Sequence, residues 1–383
     1  MIQRKCFLGT ARGIMAYESE ESPSGQIRFN RVMHAMPDKF FAQTIVDIDA
    51  GLIFTGSAPG EFPLEPGTAQ QHRAKPGYGP VLYRSADGGG TWEPSDEGIT
   101  VEGIRTIALD ESTGDLFAAG DGPATVFRSR DKGENWEELT ALKSDPTAYT
   151  WLWHPGNPAN QPRGWAYNPS IAAVNGVIYV NIEEGWSYRS DDGGDSWRHL
   201  RNGAYVDTHG IRAKASNPMR VWCTCARGCV NSTDGGETWD YIDHGDTTVR
   251  EYCTGIAINP LDDNMVVYAS SYSPSVSGYL GGGSRVHRTR DDGQSWEDLK
   301  GGLPFPVPGQ VCLVEFDQHN GLYVGTDAGD LYFSPDVGDH WVNVDHRLPI
   351  RHYHKNCLDA VSIASGNDAA VHFFTRQAQL VGA

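Results

Sequence analysis

Residues 232–239 read STDGGETW, and the same arrangement occurs five more times: SADGGGTW at 85–92, SRDKGENW at 129–136, SDDGGDSW at 190–197, TRDDGQSW at 289–296 and SPDVGDHW at 334–341. The shared pattern is Ser/Thr-x-Asp-x-Gly-x-x-Trp. Each residue type has a mechanical reason. An Asp two places after a hydroxyl residue accepts bonds from the N–H groups of a tight turn, the Gly tolerates positive φ, and the Trp packs down between neighbouring sheets. The octapeptide therefore reads as a hairpin staple.

The six tryptophans stand at 92, 136, 197, 239, 296 and 341, with gaps of 44, 61, 42, 57 and 45 residues. Three gaps match the period of a four-stranded propeller blade, and the two long ones imply insertions. Two β-rich runs precede each octapeptide, which accounts for six blades. KCFLGTARGIMAYE and QIRFNRV at the start, with AVSIASGNDAAVHFF at the end, supply a seventh. The expectation is an all-β chain, 1–383, forming a single seven-bladed β-propeller of four-stranded antiparallel blades, closed by both termini so that no sheet edge is left open.

These octapeptides resemble the Asp boxes, or bacterial neuraminidase repeats, of the sialidase-like propeller superfamily. That resemblance implies the propeller fold over most of the chain and is specific only at the boxes. Similar propellers include sialidases, xyloglucan-type glucanases that pair two such domains, polysaccharide lyases, and non-catalytic photosystem assembly factors and sorting-receptor ectodomains. The Arg-Ile-Pro signature of sialidases is absent here. Arg105, Arg212 and Arg250 could be offered as their arginine triad, with the direction of Arg212 left open. Fold alone does not choose among these activities.

Strands run outward in a blade, so the octapeptides share one face with the short turns between first and second strands. The long insertions, at 57–80, 140–169 and 271–284, fall on the opposite face, where loops carry function. Residues at the approach to each inner strand ring the channel mouth there: Phe41 and Gln43, Glu102 and Arg105, Tyr167 and Asn168, Asp207 and His209, Arg250, Glu251 and Tyr252, Gln310, and His354 with Asn356. Such a ring suits a polar ligand, although channel-lining residues in propellers also serve simply to hold water.

Two chemistries fit the ring. Asp207, Glu251 and Glu102 are candidate carboxylates for glycoside hydrolysis, which needs one protonated and one ionised group. A lyase or metal-assisted route instead uses His209 or His354 as base or ligand, Tyr252 as proton carrier and Arg250 on a substrate carboxylate. Arg105, Asn168, Tyr167, Gln310, Trp153 and Trp165 are candidate substrate-binding residues, with Trp151 and His154 beside them in the long insertion. His352 and His354 form an H-x-H pair that, with His209, could hold a divalent metal ion; the competing reading is two exposed loop histidines. A third possibility is a non-catalytic propeller whose loops bind a protein partner.

Composition narrows the field. With 31 Lys and Arg against 49 Asp and Glu, the net charge of −18 opposes nucleic acid and anionic membrane surfaces as partners. No apolar run approaches the roughly 20 residues of a membrane span. The opening MIQRKCFLGTARGIMAYE has no extended apolar region or small-residue cleavage site, so a cytoplasmic location and an intracellular small polar or oligosaccharide substrate are expected. Seven cysteines in a long chain do not make a disulfide framework, and Cys223, Cys225 and Cys229 read as buried thiols.

Overall fold

The computed structural model describes residues 4–348 except 11, 40, 48, 58–78, 102, 121–123, 149–169, 183, 244–251, 272–282 and 347. Every named element is a strand, and the strands form seven antiparallel sheets. Blade one comprises β1 (Lys5–Thr10), β2 (Gly13–Glu21) and β3 (Ile27–Ala35). Blade two comprises β4 (Phe41–Asp47), β5 (Leu52–Ser57), β6 (Leu82–Ser85) and β7 (Glu93–Pro94). Blade three has β8 (Ile104–Leu109), β9 (Leu116–Gly120), β10 (Thr125–Ser129) and β11 (Glu137–Glu138). Blade four has β12 (Ser170–Val174), β13 (Val177–Ile182), β14 (Trp186–Ser190) and β15 (Arg198–Leu200). Blade five has β16 (Thr208–Ala213), β17 (Val221–Cys225), β18 (Gly228–Ser232) and β19 (Asp240–Tyr241). Blade six has β20 (Tyr252–Asn259), β21 (Asp262–Ser271), β22 (Arg285–Thr289) and β23 (Glu297–Asp298). Blade seven has β24 (Val311–Phe316), β25 (Leu322–Thr326), β26 (Leu331–Ser334) and β27 (Val342–Asp345).

Within each blade the strands pair in chain order. The middle strands are largely buried, β9 and β17 along their whole length, because each sheet is covered on both faces by its neighbours. An apolar cluster fills every one of the seven interfaces. Phe7 and Val46 join blades one and two, Ile45 and Phe127 two and three, Val126 and Val180 three and four, Tyr179 and Val230 four and five. Trp222 and Tyr268 join five and six, Val267 and Val324 six and seven, and Leu8 and Tyr323 seven and one. The ring is a seven-bladed propeller.

Among the described residues blade one has three strands, all from the start of the chain, and the expected C-terminal strand at 360–374 lies outside them. The seam between blades seven and one is held by side chains. Arg4 Nε donates to Asp317 Oδ2 at 2.9 Å with both groups buried. Tyr17 donates to Asp345 at 2.6 Å, and Phe29 packs edge-on against Phe333.

The octapeptide turns link third to fourth strands, as the pattern requires. In all six, the Ser or Thr hydroxyl donates to the Asp carboxylate at 2.7–2.9 Å. The Gly N–H donates back to that hydroxyl. The six glycines have φ from +81° to +105°, where a Cβ is strained. The seventh position returns a side-chain bond to the second Asp oxygen in every copy: Thr91, Asn135, Ser196, Thr238, Ser295 and His340, at 2.5–2.8 Å.

The turns also sew the blades together. A guanidinium from the preceding blade donates to the fourth-position carbonyl of the turn at five successive interfaces. The donors are Arg84 to Lys132, Arg128 to Gly193, Arg189 to Gly235, Arg220 to Asp292 and Arg288 to Val337. Four of these arginines stand immediately before an octapeptide. In blade five that place is taken by Asn231, and Arg220 substitutes for it, holding Asn231 Oδ1 at 2.6 Å on the way.

Candidate functional site

At the end of the ring away from the octapeptide turns, five of the seven inner strands carry a β-bulge at the same level. The register skips 42–43 in β4, 105 in β8, 209 in β16, 254–255 in β20 and 312 in β24. A bulge releases a residue from the ladder and re-aims its side chain, which is why bulges gather beside sites. Gln43, Arg105 and His209, all named from sequence, occupy these positions.

Several bulge residues tie one inner strand to the next. Gln43 Oε1 accepts the Ile107 N–H at 2.5 Å, and Thr254 donates to the Val311 carbonyl at 2.5 Å. His209 is buried with Nδ1 2.5 Å from the Cys253 carbonyl, so Nδ1 must carry the proton and donate. That bond fixes the tautomer and turns Nε2 towards Asp207, whose Oδ1 lies 3.3 Å away. The Tyr252 ring packs against the imidazole at a centroid distance of 4.6 Å. The structure thus brings Asp207, His209 and Tyr252 into one cluster, with Asp207 as its more exposed member.

Gln310 stands at the same level before β24. Its N–H donates to Asp327 at 2.6 Å, while its side-chain oxygen and nitrogen are both buried without a protein partner among the described residues; the Gln43 side-chain nitrogen is in the same position. A buried amide group left unpaired costs roughly 1–3 kcal/mol. Arg105 is half-buried at its bulge, and Phe41 is fully buried in the apolar interface of blades one and two.

Arg212 reaches from blade five to Glu315 of blade seven, with 3.5 Å between Nη2 and Oε2, and donates Nη1 to the Ile211 carbonyl at 3.0 Å. This pair spans inner strands that are not neighbours, three residues beyond His209 towards the octapeptide face. It bridges the channel below the mouth, and the direction left open by sequence is settled: Arg212 faces a carboxylate of the protein itself.

Two residues missed from sequence stand at or beside the turn that binds the Asp207 backbone. Arg227, in the turn between β17 and β18, lies over the Tyr205 ring at 4.5 Å, and the Ala226 N–H binds the Asp207 carbonyl at 3.0 Å. Tyr241 at the end of β19 is exposed nearby, packing on Gly228. Their signal was a short turn, which sequence reasoning passed over in favour of long loops. Glu102, Arg250, Glu251, Asn168, Tyr167, Trp153, Trp165, His352 and His354 lie outside the described residues. Among the described residues no group of three or more His, Cys, Asp or Glu is placed to hold a metal ion. Cys223, Cys225 and Cys229 are buried free thiols, all pushed up by desolvation.

No family model matches the chain. It is 22% identical over 251 residues to a xyloglucanase of Hypocrea jecorina (strain QM6a), covering 65% of this chain and 26% of that protein. It is 23% identical over 294 residues to the photosystem II assembly lipoprotein Ycf48 of Synechococcus sp. (strain CC9902), covering 72% of each. Among solved structures, the GH74 enzyme of Niastella koreensis superposes with a TM-score of 0.56 at 16% identity, over 80% of this chain and 45% of that one. The chain thus spans about a quarter of the xyloglucanase and less than half of the GH74 structure. These likenesses agree with the ring seen here, and the chain is a seven-bladed β-propeller similar to both kinds of protein.

Proposed function

We propose that the chain is a hydrolase acting on a carbohydrate or other small polar substrate at the channel mouth opposite the octapeptide turns. The observation that carries this reading is the Asp207–His209–Tyr252 cluster. His209 is locked by Cys253 so that Nε2 faces Asp207, and the pair can pass one proton between carboxylate and imidazole. In glycoside hydrolysis Asp207 would serve as one of the two carboxyl groups, with Glu102 or Glu251 as the second. Tyr205, Tyr241 and Arg227 would offer aromatic and cationic contacts to a sugar. The xyloglucanase relative supports the substrate class.

The test is reducing-end release from a panel of xyloglucan and other oligosaccharides by the wild type and by Asp207→Asn. We expect kcat to fall about 10²–10⁴-fold with the fold intact. Turnover unaffected by Asp207→Asn, or no cleavage of any glycan, would remove the reading.

A second reading, a protein-binding propeller, is favoured by one observation: Ycf48 matches this chain over 72% of both lengths. Selection of peptide ligands on the intact protein, followed by Asp207→Arg, tests it. Peptides that bind wild type and variant alike would place no binding role at the mouth.

A further inference from the structure

Blade six holds a second cluster away from the channel mouth. Ser270 on β21, His287 on β22 and Asp298 on β23 lie on one face of the sheet, because Tyr268 pairs with His287, Ser270 with Arg285, and His287 with Asp298. That face is turned to blade five, since Tyr268 packs there with Trp222 and Cys229. Ser270 Oγ lies 2.7 Å from His287 Nε2, and His287 Nδ1 lies 2.9 Å from Asp298 Oδ1. The hydrogen bond from His287 is the leading cause holding Asp298 below the usual carboxylate range. An ionised Asp298 requires the proton on Nδ1, which leaves Nε2 to accept from the Ser270 hydroxyl.

The order and atoms of this relay are those that activate a serine: hydroxyl to Nε2, Nδ1–H to carboxylate. The Tyr268 ring, 4.8 Å from the imidazole, holds it in place. A purely apolar sheet face would have packed blades five and six without any of the three. We propose that Ser270 is a nucleophile for acyl transfer, with His287 as general base and acid and Asp298 orienting the imidazole, and that the site takes a small acyl ester. Small size follows from burial, because Ser270 is 5% and His287 7% exposed, which excludes a long acyl chain.

In the first half-reaction Ser270 Oγ attacks the ester carbonyl carbon and its proton passes to His287 Nε2. The carbon–oxygen bond to the alcohol breaks, and the alcohol leaves with the proton from Nε2. Water then attacks acyl-Ser270 by the same route, giving up a proton to Nε2, and the carboxylic acid departs as Oγ is reprotonated. No co-reactant other than water is needed.

The full chain is incubated with diisopropyl fluorophosphate and, separately, with p-nitrophenyl acetate. We expect a single phosphoryl adduct mapped to Ser270, absent in Ser270→Ala and formed about 10²-fold more slowly in His287→Gln, with p-nitrophenolate release falling in parallel. A folded wild type that stays unlabelled at Ser270 overturns the proposal, as does labelling unaffected by His287→Gln. Peptide mapping of the wild type decides the matter even where a variant fails to fold. Labelling at Ser270 does not call on the channel-mouth cluster, so the channel-mouth reading and this one stand or fall separately.

Discussion

Arg288 and Arg290 share two acidic partners and differ in what else they touch, and this makes their truncations a clean comparison. Arg288 is 3% exposed at its side chain and donates to the Val337 carbonyl at 2.6 Å, to Glu297 at 2.6 and 2.9 Å and to Asp339 at 2.7 Å. Arg290 is 44% exposed and reaches the same carboxylates at 3.2–3.4 Å. Glu297 and Asp339 are themselves about half exposed, so each ion pair contributes about 0.2–1 kcal/mol. The bond from a charged donor to the turn carbonyl adds about 1.5–3 kcal/mol, and only Arg288 makes it. Arg288→Ala should therefore lose about 2–5 kcal/mol and Arg290→Ala about 0.4–2 kcal/mol. The assay is the shift in urea midpoint at constant slope, repeated in about 1 M salt, where the screening length falls to about 3 Å. The Arg290 effect should vanish there and most of the Arg288 effect persist. Equal losses at low salt, or a full loss of the Arg288 effect at high salt, would refute the claim that the blade-to-turn bond holds this interface.

The Asp carboxylates of the turns are pulled down by the bonds they accept, those from Thr91, Ser196 and Ser295 foremost, and Asp87, Asp192 and Asp291 sit at about 2. Depressed in the folded state from an ordinary value near about 3.9, they stabilise above that value and lose the contribution as pH falls through 2. Melting temperature should drop steeply between pH 4 and pH 2, and Asp87→Asn, Asp192→Asn and Asp291→Asn together should flatten that slope. His340 behaves oppositely: its bond to Asp336 raises it above 6.5, so its contribution is complete below that pH and fades as pH rises through the folded value. His340→Thr, which restores the residue type of other turns, should abolish that dependence, and an NMR titration of wild-type His340 that shows no upward shift would dismiss it. At the ring seam, Arg4→Ala strands a buried Asp317 and should cost about 3–5 kcal/mol, with faster amide exchange in blades one and seven; exchange rising evenly in all blades would contradict a seam role.

The propeller was legible because the turn chemistry is local. Hydroxyl, Asp, Gly and Trp each do within eight residues what their side chains dictate, so six blades and their strand pairs follow from spacing. The sewing arginines were present in the same text, one place upstream in YRS, FRS, YRS and HRT, but their partners lie 46 to 65 residues further on. A repeat search that ends at the Ser does not see them. Arg220 is harder still, since it stands 11 residues before Asn231 and enters the pattern only through the fold.

The site was less legible for a physical reason that the bulges make plain. Aligning inner strands by sequence places Gln43, Arg105, His209 and Gln310 in one polar ring, and the fold does put them at one level. Whether such a residue faces the channel or the next blade depends on a one-residue slip in register, which reverses the facing of a side chain while leaving hydropathy unchanged. At 209 the slip sends Nδ1 to Cys253 of the adjoining blade and Nε2 to Asp207. The residue is therefore tied to the adjoining blade through one nitrogen and to Asp207 through the other. Polar groups at the mouth are positioned by the same bonds that join the blades, so a substitution at His209 should move stability and any activity together. Asp207, the more exposed member of the cluster, should move activity more than stability, and it is the sharper probe of the mouth.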